Sequence, residues 1–427
     1  MNNEQTTPKK HATKDFWGFP ITHFTYFFAW AIVFGYLTLW LEQEAHFNGV
    51  QAGFVFSMMS GVSLIFQPIF GVISDRLVMK KNLVITIAIG MILVGPYFQW
   101  VFHPLLKVNT ALVGFVTGIY LSFILNSGVS VIGQYVQRAS LTNKFEYGHS
   151  RMGGSLAGAI ASLIGGRLFL WSPNSIFWAC TVSAVILTCC LVFSDKIHLD
   201  NLAAVGVDKT SSQLNMKQLG SIFKLKNFWY LSLFYIGTSA IYDVFDQQFI
   251  IFFKSFFHTA AQGTLAYSYM TSTQTALEFL LMIPMPYIIN KIGSKNGLII
   301  YGLILGVRII GSAMSPSVVW VIGLRLLAGF EMPLVLVSIM KYISGSFDLR
   351  LYATVYALAS NFAKQISVFV FSTLAGKWYD AFGFQYTYYI LGAIVLVVTI
   401  ICAFGLKKED KVQAGEISAP ANAGTSK

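Results

Sequence analysis

The sequence predicts an all-α membrane protein of twelve transmembrane helices arranged as two six-helix halves. Three observations carry that expectation. Of the 427 residues, 55% are hydrophobic and only 11% charged, where a soluble domain carries about 25% charged residues. Twelve apolar stretches each approach the ~20 residues that a bilayer crossing requires. Lys and Arg crowd into alternate connections, the pattern of loops that face the cytoplasm by turns. Soluble domains, disorder, a disulfide scaffold and a coiled coil are thereby excluded.

The spans fall near 17–41, 50–73, 83–103, 110–137, 152–171, 173–194, 228–253, 265–289, 297–315, 318–343, 351–375 and 384–406. The polar, basic start, Met1 to Asp15, runs into the first of them without a small-residue cleavage site. This is the mark of a retained span and not of a removed signal peptide. Basic residues then orient the bundle. One side collects Lys9, Lys10 and Lys14, then Arg76, Lys80 and Lys81, Arg138, Lys144 and Arg151, and the Lys residues of the central connection. Lys291, Lys295, Lys341, Arg350 and the C-terminal lysines join them, while the opposite side receives only Lys107, Arg167, Lys254 and Lys377. Both termini are therefore expected in the cytoplasm. The net charge of +11 follows from this bias and suits anionic lipid headgroups, not nucleic acid.

The four cysteines, Cys180, Cys189, Cys190 and Cys402, sit in apolar runs without a C-x-x-C pair and read as small buried hydrophobes. The seven His residues are scattered with no H-x-x-x-H pair. Neither a metal nor a cofactor is expected.

The polar stretch 195–227 separates six spans from six, which divides the chain into an N-terminal half (1–194), a linker (195–227) and a C-terminal half (228–427). Two echoes support duplication. Gly71-Val-Ile-Ser-Asp75-Arg76-Leu-Val-Met-Lys80-Lys81 after the second span is answered by Tyr287-Ile-Ile-Asn290-Lys291-Ile-Gly-Ser-Lys295 after the eighth. Phe145-Glu146 precedes the fifth span as Phe347-Asp348 precedes the eleventh. Repeats of this kind place a substrate site near the midplane at their interface.

The loop Gly71–Lys81 resembles the cytoplasmic signature of the major facilitator superfamily, with Gly71, Asp75 and Arg76 as its gate residues. Val78 stands where that loop has Gly. YDVFDQQF (242–249), VRIIGS (307–312), FEMP (330–333), FDLRLYATVY (347–356) and FEYGHSR (145–151) look like the oligosaccharide:proton symporters. That family contains the lactose, raffinose, melibiose and sucrose permeases, and the likeness runs from Phe16 to about Leu406. It implies the major facilitator fold.

An ionisable group deep in a span costs about 2.5–3.5 kcal/mol or more, so each is a functional candidate. The first six spans hold almost none apart from Arg151, near the start of the fifth. The last six hold Asp243, Asp246, Glu278, Arg308, Arg325, Glu331 and Lys364. Asp243 and Asp246, at i and i+3, share one side of the seventh span and need cations from elsewhere. The resemblance implies the pairs Asp243–Lys364 and Asp246–Arg325, which position helices. Across this half, four acids face three bases, so one carboxylate is expected without a partner and holding a proton at neutral pH. Glu331, mid-span in Ala-Gly-Phe-Glu-Met-Pro, is the candidate. The resemblance makes it the proton-binding Glu and Arg308 the Arg that assists deprotonation. It also implies a His one turn earlier, where this chain has Ala328.

Sugars are held by charged groups that bind neighbouring hydroxyls, with an aromatic ring on the apolar face. The resemblance makes Arg151 the sugar-site Arg. The acid it implies on the fourth span falls at Gly133, beside Gln134; the stacking Trp of the fifth falls at Gly158; the Glu of the eighth falls at Thr275. The eighth span carries Gln274 and Glu278 instead, and Glu278 is expected to answer Arg151 across the cavity. Phe27, Tyr120, Tyr135 and above all Tyr242 are the rings available for stacking. The glycines at 153, 154, 158, 165 and 166 ask only for close helix packing.

These features predict a symporter that imports a disaccharide or oligosaccharide with a proton by alternating access, acting as a monomer in the bacterial cytoplasmic (inner) membrane. No nucleophile with a base, H-E-x-x-H or phosphate loop is present, which argues against an enzyme. A non-transporting sugar sensor on the same scaffold is the alternative, since three sugar-site groups are replaced.

Overall fold

The computed structural model describes residues 18–77, 81–143, 147–194, 222–347 and 351–408. The basic tail residues Lys9, Lys10 and Lys14, most of the 195–227 connection, Val78, Lys80, Lys144, Phe145, Glu146, Asp348, Arg350 and the C-terminal tail lie outside these, as do the side chains of Asp75, Arg76 and Arg151.

In chain order the helices are α1 (Gly18–Gln43), α2 (Gly49–Leu77), α3 (Asn82–Val108), α4 (Thr110–Ser140), α5 (Tyr147–Trp171) and α6 (Ser175–Phe193). There follow α7 (Lys226–Gly237), α8 (Ser239–Lys254), α9 (Ala260–Met282), α10 (Met285–Ile292), α11 (Ser294–Ala313), α12 (Val318–Ser346) and α13 (Tyr356–Gly405).

Among the described residues, nine stretches are long and apolar enough to cross a membrane. The twelve expected crossings are recovered by three local facts. First, α13 runs for 50 residues, about 75 Å at 1.5 Å per residue, more than twice a ~30 Å hydrocarbon core. It is broken at Gly383, whose φ of 77° and ψ of 177° suit a residue without Cβ, so it supplies the eleventh and twelfth spans. Second, α9 and α10 meet at a 62° bend. Pro284 and Pro286 lie there and cannot donate backbone N–H groups to an uninterrupted ladder. Third, α7 and α8 join at Thr238 (φ −120°, ψ −72°). Asp243, Asp246 and Lys254 hold down the hydropathy of this seventh span.

Contacts divide the chain into two compact units, one drawn from 1–47, 58–213 and 259–275, the other from 48–57, 214–258 and 276–427. In the first, α1 packs on α5. The Tyr36 hydroxyl donates to the Ser162 carbonyl at 2.9 Å. A Cβ at Gly165 would lie 2.3 Å from that tyrosine ring, and one at Gly153 would lie 2.7 Å from the Pro20 carbonyl oxygen. The glycine run does serve close approach at these two positions. Gly158 does not: a Cβ there would meet only Thr275 Cγ2, at an ordinary 3.5 Å. Trp40 anchors one end of this unit, fully buried among Phe98, Phe102 and Phe177 at 4.9–5.2 Å. Its indole N–H donates to Asn174 at 2.8 Å, which satisfies the one polar atom the ring carries.

In the second unit the start of α2 lies against α13. Asp380 accepts the backbone N–H groups of Gly49 and Val50, each at 2.9 Å, an anion at the positive end of a helix. Gln248 Nε2 donates to the Gly49 carbonyl at 2.9 Å. A Cβ on Gly376 would stand 2.3 Å from that same carbonyl oxygen, so the chains meet backbone to backbone.

Candidate functional site

The charged groups of the C-terminal spans converge on one face of α8. Tyr242, Phe245, Asp246 and Phe249 recur at helical spacing, so rings and carboxylate stand on the same side. Opposite them α11 presents Arg308 and α12 presents Arg325 and Glu331. Arg308 is 1% exposed and Glu331 0%. Their contact is bidentate: Arg308 Nε donates to Glu331 Oε1 at 2.7 Å and Nη2 to Oε2 at 2.8 Å. Paired bonds of this kind are the strong form of a guanidinium–carboxylate contact.

Arg325 forms a second such pair with Asp246, donating through Nη1 to Oδ1 and through Nη2 to Oδ2, the latter at 2.9 Å. The two pairs are neighbours, since Arg308 Nη1 lies 3.9 Å from Asp246 Oδ1. Aromatic faces cover both cations. Arg308 Cζ is 5.1 Å from the Tyr242 ring centroid and 5.0 Å from that of Phe245, and Arg325 Cζ is 4.8 Å from that of Phe249. Such stacking is worth more where water is excluded. Apart from this cluster, Lys364 Nζ bonds Asp243 Oδ2 at 2.8 Å.

The pairs Asp243–Lys364 and Asp246–Arg325 thus form as anticipated. Two expectations change. Glu331 is not without a partner: α11 and α12 pack so that Arg308 meets it squarely, a matter of depth and rotation that counting charges does not register. Tyr242, anticipated as a ring for sugar stacking, is 7% exposed and carries the Arg308 guanidinium on its face. Its role shifts to the charge cluster. Phe245 and Phe249 were missed altogether, although their spacing around Asp246 in YDVFDQQF was the available signal.

Removing one member of a buried ion pair strands the other charge, at about 3–5 kcal/mol when burial is complete. Asp243 and Lys364 are 33% and 24% exposed, so Lys364→Ala is expected to cost less, about 1–3 kcal/mol. Asp243→Ala/Lys364→Ala, which removes both charges, recovers most of that. Thermal unfolding of the three proteins in detergent, beside their uptake, checks the pair.

The groups expected at the sugar site are distributed differently. Gln274 of α9 is 5% exposed, and its Oε1 makes no hydrogen bond among the described residues. Gln134 of α4 and Glu278 of α9 are half-buried, as are Gly133 and Gly158, while Ala328 is wholly buried. Arg151 falls in the first turns of α5. Tyr120 lies among apolar side chains. It lines an apolar groove with Phe66, Val116, Ile119 and Phe123, and its hydroxyl donates to the Gly90 carbonyl at 2.6 Å. Near the gate loop, Gly71 is not required by packing, because a Cβ there meets nothing within 4 Å. Arg138 donates to the Ser74 carbonyl at 2.7 Å and so ties the end of α2 to α4. No cluster of His, Cys, Asp and Glu able to hold a metal occurs among the described residues.

Residues 8–417 match the family described as LacY proton/sugar symporter. The chain belongs to that family. Among curated relatives, the raffinose permease of Escherichia coli is 39% identical over 408 residues, covering 95% of each chain. The lactose permease of Klebsiella oxytoca is 40% identical over 376 residues, 88% of this chain and 90% of the relative. The sucrose permease of Escherichia coli is 30% identical over 390 residues, covering 90% and 92%. Among solved structures, the nucleoside transporter NupG superposes with a TM-score of 0.75 at 14% identity, covering 92% of this chain and 99% of that one. That likeness concerns the fold, which is the major facilitator fold of twelve spans.

The symporter is therefore a multi-pass inner-membrane transporter that couples sugar to protons, in a family of permeases and not of enzymes. Its buried Arg308–Glu331 pair joins a carboxylate to a cation where water is excluded.

Proposed function

We propose that the symporter imports a disaccharide or oligosaccharide with a proton by alternating access, as a monomer embedded in the bilayer with both termini in the cytoplasm. Two six-helix halves, 1–194 and 228–427, are joined by the linker 195–227. Glu331 carries the proton and Arg308 drives its release. Arg151, Glu278, Gln274 and Gln134 recognise sugar hydroxyls, and Gly71, Asp75 and Arg76 form the cytoplasmic gate loop. Asp243–Lys364 keeps the C-terminal helices in place.

The observation that carries this reading is the bidentate Arg308–Glu331 contact at essentially zero exposure. A carboxylate so buried must be compensated by a cation or by a proton, and exchanging one for the other is the elementary step of coupling. Gly133, Gly158 and Thr275, standing where the resemblance has an acid, a Trp and a Glu, argue against plain lactose as the substrate.

A radiolabelled panel of sucrose, maltose, melibiose, raffinose and lactose, taken up by energised vesicles with and without a protonophore, tests the reading. Accumulation of at least one of them, collapsed by the protonophore, is the expected result. Binding without accumulation would favour the sensor, and accumulation that ignores the protonophore would remove proton coupling.

A further inference from the structure

Arg308 is buried, yet its Nη1 makes no hydrogen bond among the described residues. The nearest carboxylate oxygen to it, beyond those of Glu331, is Asp246 Oδ1 at 3.9 Å. That oxygen already accepts from Arg325 Nη1, and a carboxylate oxygen has room for a second donor. A movement of about 1 Å brings Nη1 to the 2.7–3.2 Å of a hydrogen bond.

We propose that Asp246 is the alternative acceptor for Arg308, so that the guanidinium passes from Glu331 to Asp246 when Glu331 takes up its proton. The inference rests on the reading of Glu331 as the proton carrier. One proton adds to the Glu331 carboxylate, the bidentate contact loosens, and Nη1 closes on Asp246; no other bond changes. The Tyr242 and Phe245 rings beside the guanidinium allow this turn without exposing the cation to water.

The need for such an acceptor is physical. A protonated Glu331 no longer balances Arg308, and an unbalanced cation at 1% exposure is costly. Ala328, one turn before Glu331, offers only a methyl group. The charged and titratable groups around Glu331 are Arg308 and Tyr301 from α11, Asp246 and Tyr242 from α8, and Arg325 from its own helix. From α13, Tyr379 faces Asp246, and Tyr388 faces Asp246 and both arginines. Of these, Asp246 alone is an acid close to Arg308. Asp246 is thus a positioning residue for the proton step, beyond its contribution to holding α8 to α12.

The test is an infrared pH titration of the protonated carboxyl band in the purified full-length carrier. The Glu331 band is assigned by its loss in Glu331→Gln. The charge-neutral variant Asp246→Ala/Arg325→Ala keeps the balance of the cluster and removes the acceptor oxygens. Its Glu331 midpoint is expected to fall by about one pH unit or more, a tenfold weaker hold on the proton, because Arg308 stays on Glu331. An unchanged or raised midpoint overturns the proposal, whereas absence of a Glu331 band from the wild type overturns the reading beneath it. If the double variant does not fold, the structure of Glu331→Gln decides. Arg308 Nη1 is expected within hydrogen-bond distance of Asp246 there, and a gap still near 4 Å refutes the transfer.

Discussion

Glu331→Gln abolishes uphill sugar accumulation and leaves sugar exchange running. The amide has the shape of the protonated acid but can neither release a proton nor accept two charge-assisted bonds from Arg308. A carrier frozen in the loaded state binds sugar, reorients with it and trades it for sugar on the other side. It does not return empty, because return requires the carboxylate to be uncovered first. Accumulation driven by a proton gradient in reconstituted vesicles is therefore expected to fall to the passive background, while counterflow of labelled sugar stays within a few-fold of the wild type. Gradient-driven uptake that survives the substitution would refute the role assigned to Glu331.

The second large effect concerns Arg151. A guanidinium offers a planar fork that engages two neighbouring hydroxyls at once, which an ammonium cannot reproduce. Losing charge-assisted hydrogen bonds is worth about 1.5–3 kcal/mol, roughly a 10–150-fold change in affinity. Arg151→Lys is expected to weaken sugar binding toward the lower figure and Arg151→Gln toward the upper. Glu278→Gln is expected to behave like the latter. Equilibrium binding of whichever sugar the uptake panel identifies measures this directly. Affinity within twofold of the wild type in Arg151→Gln would remove Arg151 from the sugar site.

Much of the fold was legible because the bilayer imposes it: apolar length marks each span. That legibility held even where function intrudes on the rule. The seventh span (228–253) was read despite Asp243, Asp246 and Lys254, and the eighth (265–289) despite its prolines and a run of Ser, Thr and Gln. The eleventh and twelfth spans were likewise separated at 376–383, where Lys377 and Asp380 interrupt the apolar run, although the positive φ of Gly383 that breaks the helix is seen only in the fold. In the charge cluster, spacing placed Asp243 and Asp246 on one side of their helix, and the resemblance supplied their partners. Pairing of Arg308 with Glu331 depends on how α11 and α12 are rotated against each other, and no pattern within a single helix encodes that. The aromatic cover of both arginines was likewise invisible, because in a chain that is 15% aromatic a ring beside an acid stands out only after the fold brings a cation over it.

Both cations in the cluster are arginines, Arg308 and Arg325, and that fixes its proton inventory. A guanidinium keeps its charge at every pH a cell meets. Among the described residues, no imidazole or amine joins the contacts of Arg308 and Glu331. Any proton the cluster stores near neutrality is therefore stored on a carboxylate, and with Glu331 as the proposed carrier its charge steps by a single unit. An arrangement with a lysine or histidine in either place would have had two kinds of site to fill, and a proton count that depended on which filled first.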